Sequence, residues 1–255
     1  MGIVAVAGDV TTTTAVALAA AWSRANDVIL VEADPTGGDL AAWFDLPVTP
    51  SLSTVVTRVL DGSWPEIERH TRLASSGLRV VPAPARAVEA QQAVAESARS
   101  LVGSLAALRS PVTIADTGRL APFASGHPFI GAAAVMVLVH RQSTQSPSAA
   151  AVRLQRLADQ LESLAAIPGA VVVAIVGATP FGLDEIDAFL GSAGGSTSLV
   201  GMPVDELSAS AMAGRTGVSE RRLARLPLMR AASDLAVVVE QALDHHVGGL
   251  WRSGR

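Results

Sequence analysis

Three short segments hold the residue types that could handle a charged ligand. The first, Gly8-Asp9-Val10-Thr11-Thr12-Thr13-Thr14, runs directly into the apolar stretch Ala15–Ala21. A glycine followed by hydroxyls at a helix start suits anion binding, because free backbone N–H groups and the helix dipole both favour negative charge there. The second segment, Glu32-Ala33-Asp34-Pro35, places two acids at i and i+2 ahead of the turn Thr36-Gly37-Gly38. The third, Asp116-Thr117-Gly118, is an acid followed at once by a turn. Two readings of the first segment compete. It could cradle phosphate through its backbone, or its threonines could simply cap a helix. Asp9 would put a negative charge where a phosphate would sit, and on this segment alone capping is favoured.

Composition narrows the chemistry. The chain has 255 residues with 19 Lys+Arg, and every one of these is arginine. Cysteine and tyrosine are also absent. That excludes disulfides, cysteine-based zinc sites, thiol or tyrosine nucleophiles and lysine Schiff bases. Any phosphate site must work without lysine. Net charge is -4, so the whole chain carries no electrostatic signal for nucleic acid, though a local basic patch stays open. No basic segment precedes an early apolar run, and no signal peptide is expected. The longest apolar runs, Ala132–Val139 and Ala170–Val176, fall well short of the roughly 20 residues that cross a bilayer. The absence of cysteine fits a cytoplasmic protein.

The elements that must position these segments follow from apolar periodicity. Strands are predicted at Ile3–Ala7, Val28–Glu32, Leu78–Val81, Val112–Ala115, Ala133–Val139, Ala170–Val176 and Ser198–Val200. Helical spacing covers Thr12–Arg24, Leu52–Leu60, Ala87–Leu108, Gln145–Ala166, Asp205–Met212, Ser219–Leu226 and Met229–His245. Short apolar strands alternating with helices imply βαβ units. The expectation is one α/β domain, 1–246, with a doubly wound, mainly parallel sheet and helices on both faces. Residues 247–255, with Gly248 and Gly249, are expected to form a flexible tail. In such a sheet ligands sit at the carboxyl ends of the strands, where all three segments fall.

The order of these segments resembles the MinD/ParA-like P-loop ATPases, whose first loop reads K-G-G-x-G-K-[ST]-T-T-A. Thr12-Thr13-Thr14-Ala15 aligns on the shared T-T-T-A. Thr11 then stands in place of the P-loop lysine and Val6 in place of the signature lysine, while Ala7 and Val10 each replace a glycine. Glu32-Ala33-Asp34-Pro35 is similar to the family's D-x-D-P, and Asp116-Thr117-Gly118 to its Walker B end. Val135–His140, Val171–Gly177 and Gly201-Met202-Pro203-Val204-Asp205 are similar to later family segments, so the likeness runs from Ile3 to about Leu243.

The resemblance implies a P-loop NTPase-like fold and ATP with Mg²⁺ as cofactors. It implies a nucleotide site at Gly8, Asp9, Val10, Thr11, Thr12 and Thr13, metal ligation by Thr12 and Asp116, and Asp34 as the residue orienting attacking water. The lost lysines weigh against hydrolysis and against nucleotide binding, because charge on a transferred phosphoryl group needs positive compensation. Arg215, Arg221, Arg222, Arg225 and Arg230 could supply it, but solvated helix faces are their simpler role. The expected function is a degenerate, homodimeric, partner-binding scaffold that positions a division, pilus or secretion apparatus. The alternative is a working partition-type ATPase that uses an arginine or a partner in place of lysine. Leu250, Trp251 and nearby arginines resemble the C-terminal membrane helix of some MinD proteins, a peripheral membrane contact at most. The five histidines have no metal-ligand spacing with carboxylates.

Overall fold

The first strand sets the architecture. Ile3, Ala5 and Ala7 point to one face of β1 (Ile3–Gly8), Val4 and Val6 to the other, and all are fully buried. A strand apolar on both faces belongs in the middle of a sheet covered on both sides. A computed structural model shows that arrangement. It describes residues 2–22, 28–59, 62–74, 76–120, 126–142, 146–192 and 197–253, with side chains through His246.

Seven more strands complete the sheet: β2 (Val28–Glu32), β3 (Arg72–Leu73), β4 (Arg79–Val81), β5 (Val112–Asp116), β6 (Ala133–Arg141), β7 (Ala170–Val176) and β8 (Ser198–Met202). Their order is β3-β4-β2-β5-β1-β6-β7-β8, and all pairs are parallel except β3 with β4. The chain fills one flank first, returns beside β1 as β5, then builds the other flank. The carboxyl ends of β1, β2 and β5 therefore meet where the winding reverses. The doubly wound reading of the sequence holds, and the short antiparallel β3 is an addition to it.

Two cores flank the sheet. On one face, α1 (Thr11–Trp22) lies against Val4, Val6, Leu30 and Ile114, and α12 (Pro227–Ser253) packs beside it, over β6, β7 and β8. Alanines at 15, 17, 19 and 21 make α1 thin and buried nearly all round, so that it fits closely between the sheet and its neighbouring helix. On the other face lie α3 (Leu52–Arg58), α5 (Ala87–Ser100), α6 (Val102–Ala107), α8 (Pro147–Leu164) and α9 (Leu183–Ser192). Helix α8 starts where Ser146 accepts a hydrogen bond from Ala149 N–H at 3.1 Å and Pro147 occupies the first turn. The short helices α2 (Leu40–Trp43), α4 (Trp64–Glu68), α7 (Pro128–Gly131), α10 (Glu206–Met212) and α11 (Glu220–Leu223) occupy the connections.

Two boundaries differ from expectation. The single helix read over Ala87–Leu108 is broken at Leu101, whose backbone leaves helical geometry and whose side chain is buried, so α5 and α6 each turn an apolar face inward. The tail read at 247–255 continues α12 as helix to Ser253, through Gly248 and Gly249. Each helical glycine costs about 1 kcal/mol relative to alanine, but a helix already nucleated by preceding turns propagates through it. The predicted ends at Arg24, Leu60 and Gln145 lie outside the described residues, as do Gly254 and Arg255. Among the described residues, no helix is long and apolar enough to cross a membrane.

Leu18 of α1 is fully buried in the core on this face of the sheet. Leu18→Ala is expected to cost about 2–5 kcal/mol, through lost burial and the cavity left behind, read as a lowered midpoint in urea.

Candidate functional site

Adjacent pairing of β2, β5 and β1 brings the three segments to one point. Register places Asp116 opposite both Glu32 and Val6. Asp116 is 1% exposed. It accepts hydrogen bonds from the Thr12 hydroxyl at 2.7 Å and the Gly118 N–H at 3.2 Å, and the Thr11 hydroxyl also donates to it. Burial pushes its carboxyl above the usual range. Those three bonds pull it back, and the Asp34 charge adds to the rise.

Glu32, equally buried, accepts three backbone hydrogen bonds: Asp39 and Leu40 N–H reach Oε1 at 2.7 and 3.0 Å, and Ala83 N–H reaches Oε2 at 2.8 Å. One carboxylate thus ties β2 to the start of α2 and to the chain leaving β4. Burial pushes the Glu32 carboxyl up to about 7, against the pull of the three N–H groups and with Asp116 adding repulsion. Asp34 Oδ1 accepts from the Thr36 N–H at 2.8 Å and hydroxyl at 2.7 Å, a side-chain turn that presses its carboxylate onto Gly118. A Cβ on Gly118, at φ +70°, would lie 2.2 Å from that carboxylate. His127 completes the cluster with its Nε2 at 2.9 Å from the Ala33 carbonyl, while its buried Nδ1 has no partner among the described residues. Burial holds this imidazole below its usual range. Nothing in the spacing of the sequence singled out His127, because ninety-four residues separate it from Ala33.

The strand read over Ile3–Ala7 extends to Gly8. Val6 and Ala7 lie within it, and the Val6 carbonyl accepts from the Thr117 N–H and hydroxyl, each at 2.9 Å. Thr11 aligns with the loop lysine and already belongs to α1. Only Asp9 and Val10 connect the two elements. Gly8 N–H donates to the Gly118 carbonyl at 3.0 Å and Asp9 N–H to the Val139 carbonyl at 2.8 Å. A Cβ on Gly8, at φ +117°, would lie 2.2 Å from the Val139 carbonyl oxygen. Val10 holds φ +44°, a left-handed conformation costly for a β-branched residue, while 39% exposed. The Asp9 carboxylate turns sideways, accepting from Arg141 N–H at 3.1 Å and lying 3.8 Å from the Arg153 guanidinium.

Beside this turn is a cavity of about 190 Å³ at the carboxyl ends of β7 and β8. Val10, Thr13, Met202 and Val204 line it, with Arg141 at one wall. Of the arginines weighed from the sequence, none lines it; Arg141, which follows the β6 apolar run, was missed. Thr13 is thus set apart from Thr11 and Thr12, which face Asp116. Among the described residues, no group of three or more His, Asp or Glu side chains is arranged to hold a metal ion.

Solved structures share this architecture. The chain superposes on a ParA family ATPase from Chlorobium tepidum with TM-score 0.67 and 16% identity, over 92% of this chain and 97% of that one. It superposes on the cell division ATPase MinD of Pyrococcus furiosus with TM-score 0.67 and 13% identity, over 94% and 99%. The fold is that of the MinD/ParA-like P-loop ATPases. A cobyrinic acid a,c-diamide synthase from Mycobacterium smegmatis, solved with an ATP analogue and magnesium, matches with TM-score 0.58 and 17% identity, over 100% and 97%. No protein-family model and no curated protein matches the chain. The MinD/ParA-like fold thus rests on the path of the backbone, with the acidic loops at its strand ends.

The raised carboxyls carry a pH signature. Glu32 keeps its proton to higher pH in the folded than in the unfolded chain, so the folded state binds more protons between about 4.5 and about 7. Stability is expected to fall as pH rises through that window, by on the order of 3 kcal/mol for Glu32, and to level off above it. The raised Asp116 contributes with the same sign. Urea midpoints measured from pH 5 to pH 8 check this, and Glu32→Gln is expected to flatten the profile.

Proposed function

We propose that this chain is a dimerising or partner-binding scaffold on a MinD/ParA-like frame, with ATP hydrolysis weak or lost. The observation that carries this reading is the two-residue turn Asp9-Val10. A triphosphate needs a ring of free N–H groups and a cation. Here the N–H groups of Gly8 and Asp9 are bonded to carbonyls, and the chain has no lysine. Mg²⁺ would find a hydroxyl and a carboxylate together at Thr12 and Asp116, but it fills most of its octahedron with water and substrate phosphate oxygens. The phosphate oxygens would be left with the N–H groups at the start of α1, without a lysine beside them. Asp34, bonded to Thr36 and packed on Gly118, serves the turn rather than an attacking water. Positioning of a division, pilus or secretion apparatus from the cytoplasm is the role that the cell division ATPase among the structural neighbours supports best.

A second reading, a working partition-type ATPase, draws on Arg141. Its side chain lines the cavity beside Thr13 and the start of α1, where a guanidinium could meet phosphate bidentately.

Titration with ATP and Mg²⁺, read by melting temperature and by sizing, separates the two. The scaffold reading expects no shift at millimolar ATP, whereas a ligand far above its dissociation constant stabilises a fold by about 2–4 kcal/mol. Micromolar affinity that drives dimerisation would overturn the scaffold reading. Arg141→Ala should then weaken ATP binding by about tenfold or more, and Arg215→Ala should not.

A further inference from the structure

At the opposite end of the sheet, away from the carboxylates, a groove of about 460 Å³ opens beside the amino ends of β2 and β4. Ala20, Val28, Leu78, Leu223, Ala224 and Met229 give it an apolar floor, and Ser76, Arg79 and Glu220 add polar groups to its lining. That volume falls in the range of clefts that hold ligands.

The outer lip is helix α11. Glu220, Leu223 and Ala224 share its groove-facing stripe, at helical spacings of three and four. Arg221 starts the neighbouring stripe, one turn before Arg225, and Arg222 stands beside it. All three are exposed, as are Arg215 and Arg230 on either side. Residues 215–230 hold five arginines against one acid, Glu220, in a chain whose net charge is -4. Among the described residues no carboxylate pairs with any of the five. The other cation of the groove, Arg79, is engaged with Glu68 at 2.7 Å.

We propose that this groove docks an acidic peptide segment of a partner protein, with apolar side chains seated between Leu78 and Leu223 and carboxylates reaching over the lip to Arg221 and Arg225. Apolar anchors in a pocket with charged rims are how short peptides gain both affinity and orientation. A nucleic acid would use the arginines and leave the apolar floor exposed, and a long polyanion would be repelled by the acidic remainder of the chain. This surface stands whether or not a nucleotide binds at the other end of the sheet.

The test is fluorescence anisotropy on the full chain. The probe is a short fluorescein-labelled peptide of Asp and Glu carrying a pair of leucines. An all-acidic peptide of equal length and a DNA duplex serve as comparisons. The leucine-bearing peptide is expected to bind at least about tenfold more tightly than the all-acidic one. Ala224→Trp, an exposed position whose enlargement fills the groove without touching the core, should erase that difference. The double variant Arg221→Glu, Arg225→Glu should abolish binding of both peptides, with melting temperatures confirming that each variant is folded. Equal binding of the two peptides, tighter binding of the duplex, indifference to Ala224→Trp, or no binding at all would each overturn the proposal.

Discussion

The chain must leave β1 and enter α1 within two residues, and much of the site follows from that constraint. Gly8 is pressed against the Val139 carbonyl, closer than any Cβ permits. Its N–H is drawn to Gly118 and that of Asp9 to Val139, which welds the turn to both neighbouring strands. The reversal of direction then falls on Val10, at a positive φ a β-branched residue seldom adopts. A longer loop would release that strain and free its N–H groups. The short one fixes the first turn of α1 instead, so that Thr12 lands 2.7 Å from Asp116.

The buried carboxylates are compensated by dipoles of the neighbouring segments. Glu32 has three backbone N–H groups and Asp116 has two hydroxyls and one N–H, with no cation in either set. Dipoles of this kind offset only part of the cost of burying charge, which is why burial remains the largest influence on both groups. The bonds nonetheless organise structure: Glu32 joins three separate chain segments through one side chain. The two acids therefore act as struts for the loops at the strand ends.

The fold was legible because strand and helix periods leave separate marks. Ile3–Ala7 and Val28–Val31 are apolar throughout, as strands buried on both faces must be, and Glu32 stands where the second run stops. Other features leave no periodic trace. The run Thr11–Thr14 slides along any T-T-T motif, so the alignment could not tell loop from helix. Leu101 breaks a helix by burying its side chain, which apolar spacing alone reads as continuity. Arg141 and His127 reach their places through sheet register and a distant connection. Both are set by tertiary pairing that no local pattern encodes.

Helix α1 links the two ends of the molecule. Its first turn carries Thr11 and Thr12 into the carboxylate cluster and Thr13 into the cavity, and Ala20 near its last turn forms part of the groove beneath α11. Between these ends it is buried from Thr14 to Ala19 against the sheet and α12. Close-packed interiors resist gradual deformation, so α1 cannot flex in its middle to accommodate one end independently of the other. Any communication between a partner seated at the amino ends of the strands and the acids at their carboxyl ends has to move α1 as a rigid body against α12. The alanines lining α1 present a smooth face for such sliding, while the bond from Thr12 to Asp116 resists it. The hydroxyl of Thr12 therefore holds the register of a helix that touches both surfaces.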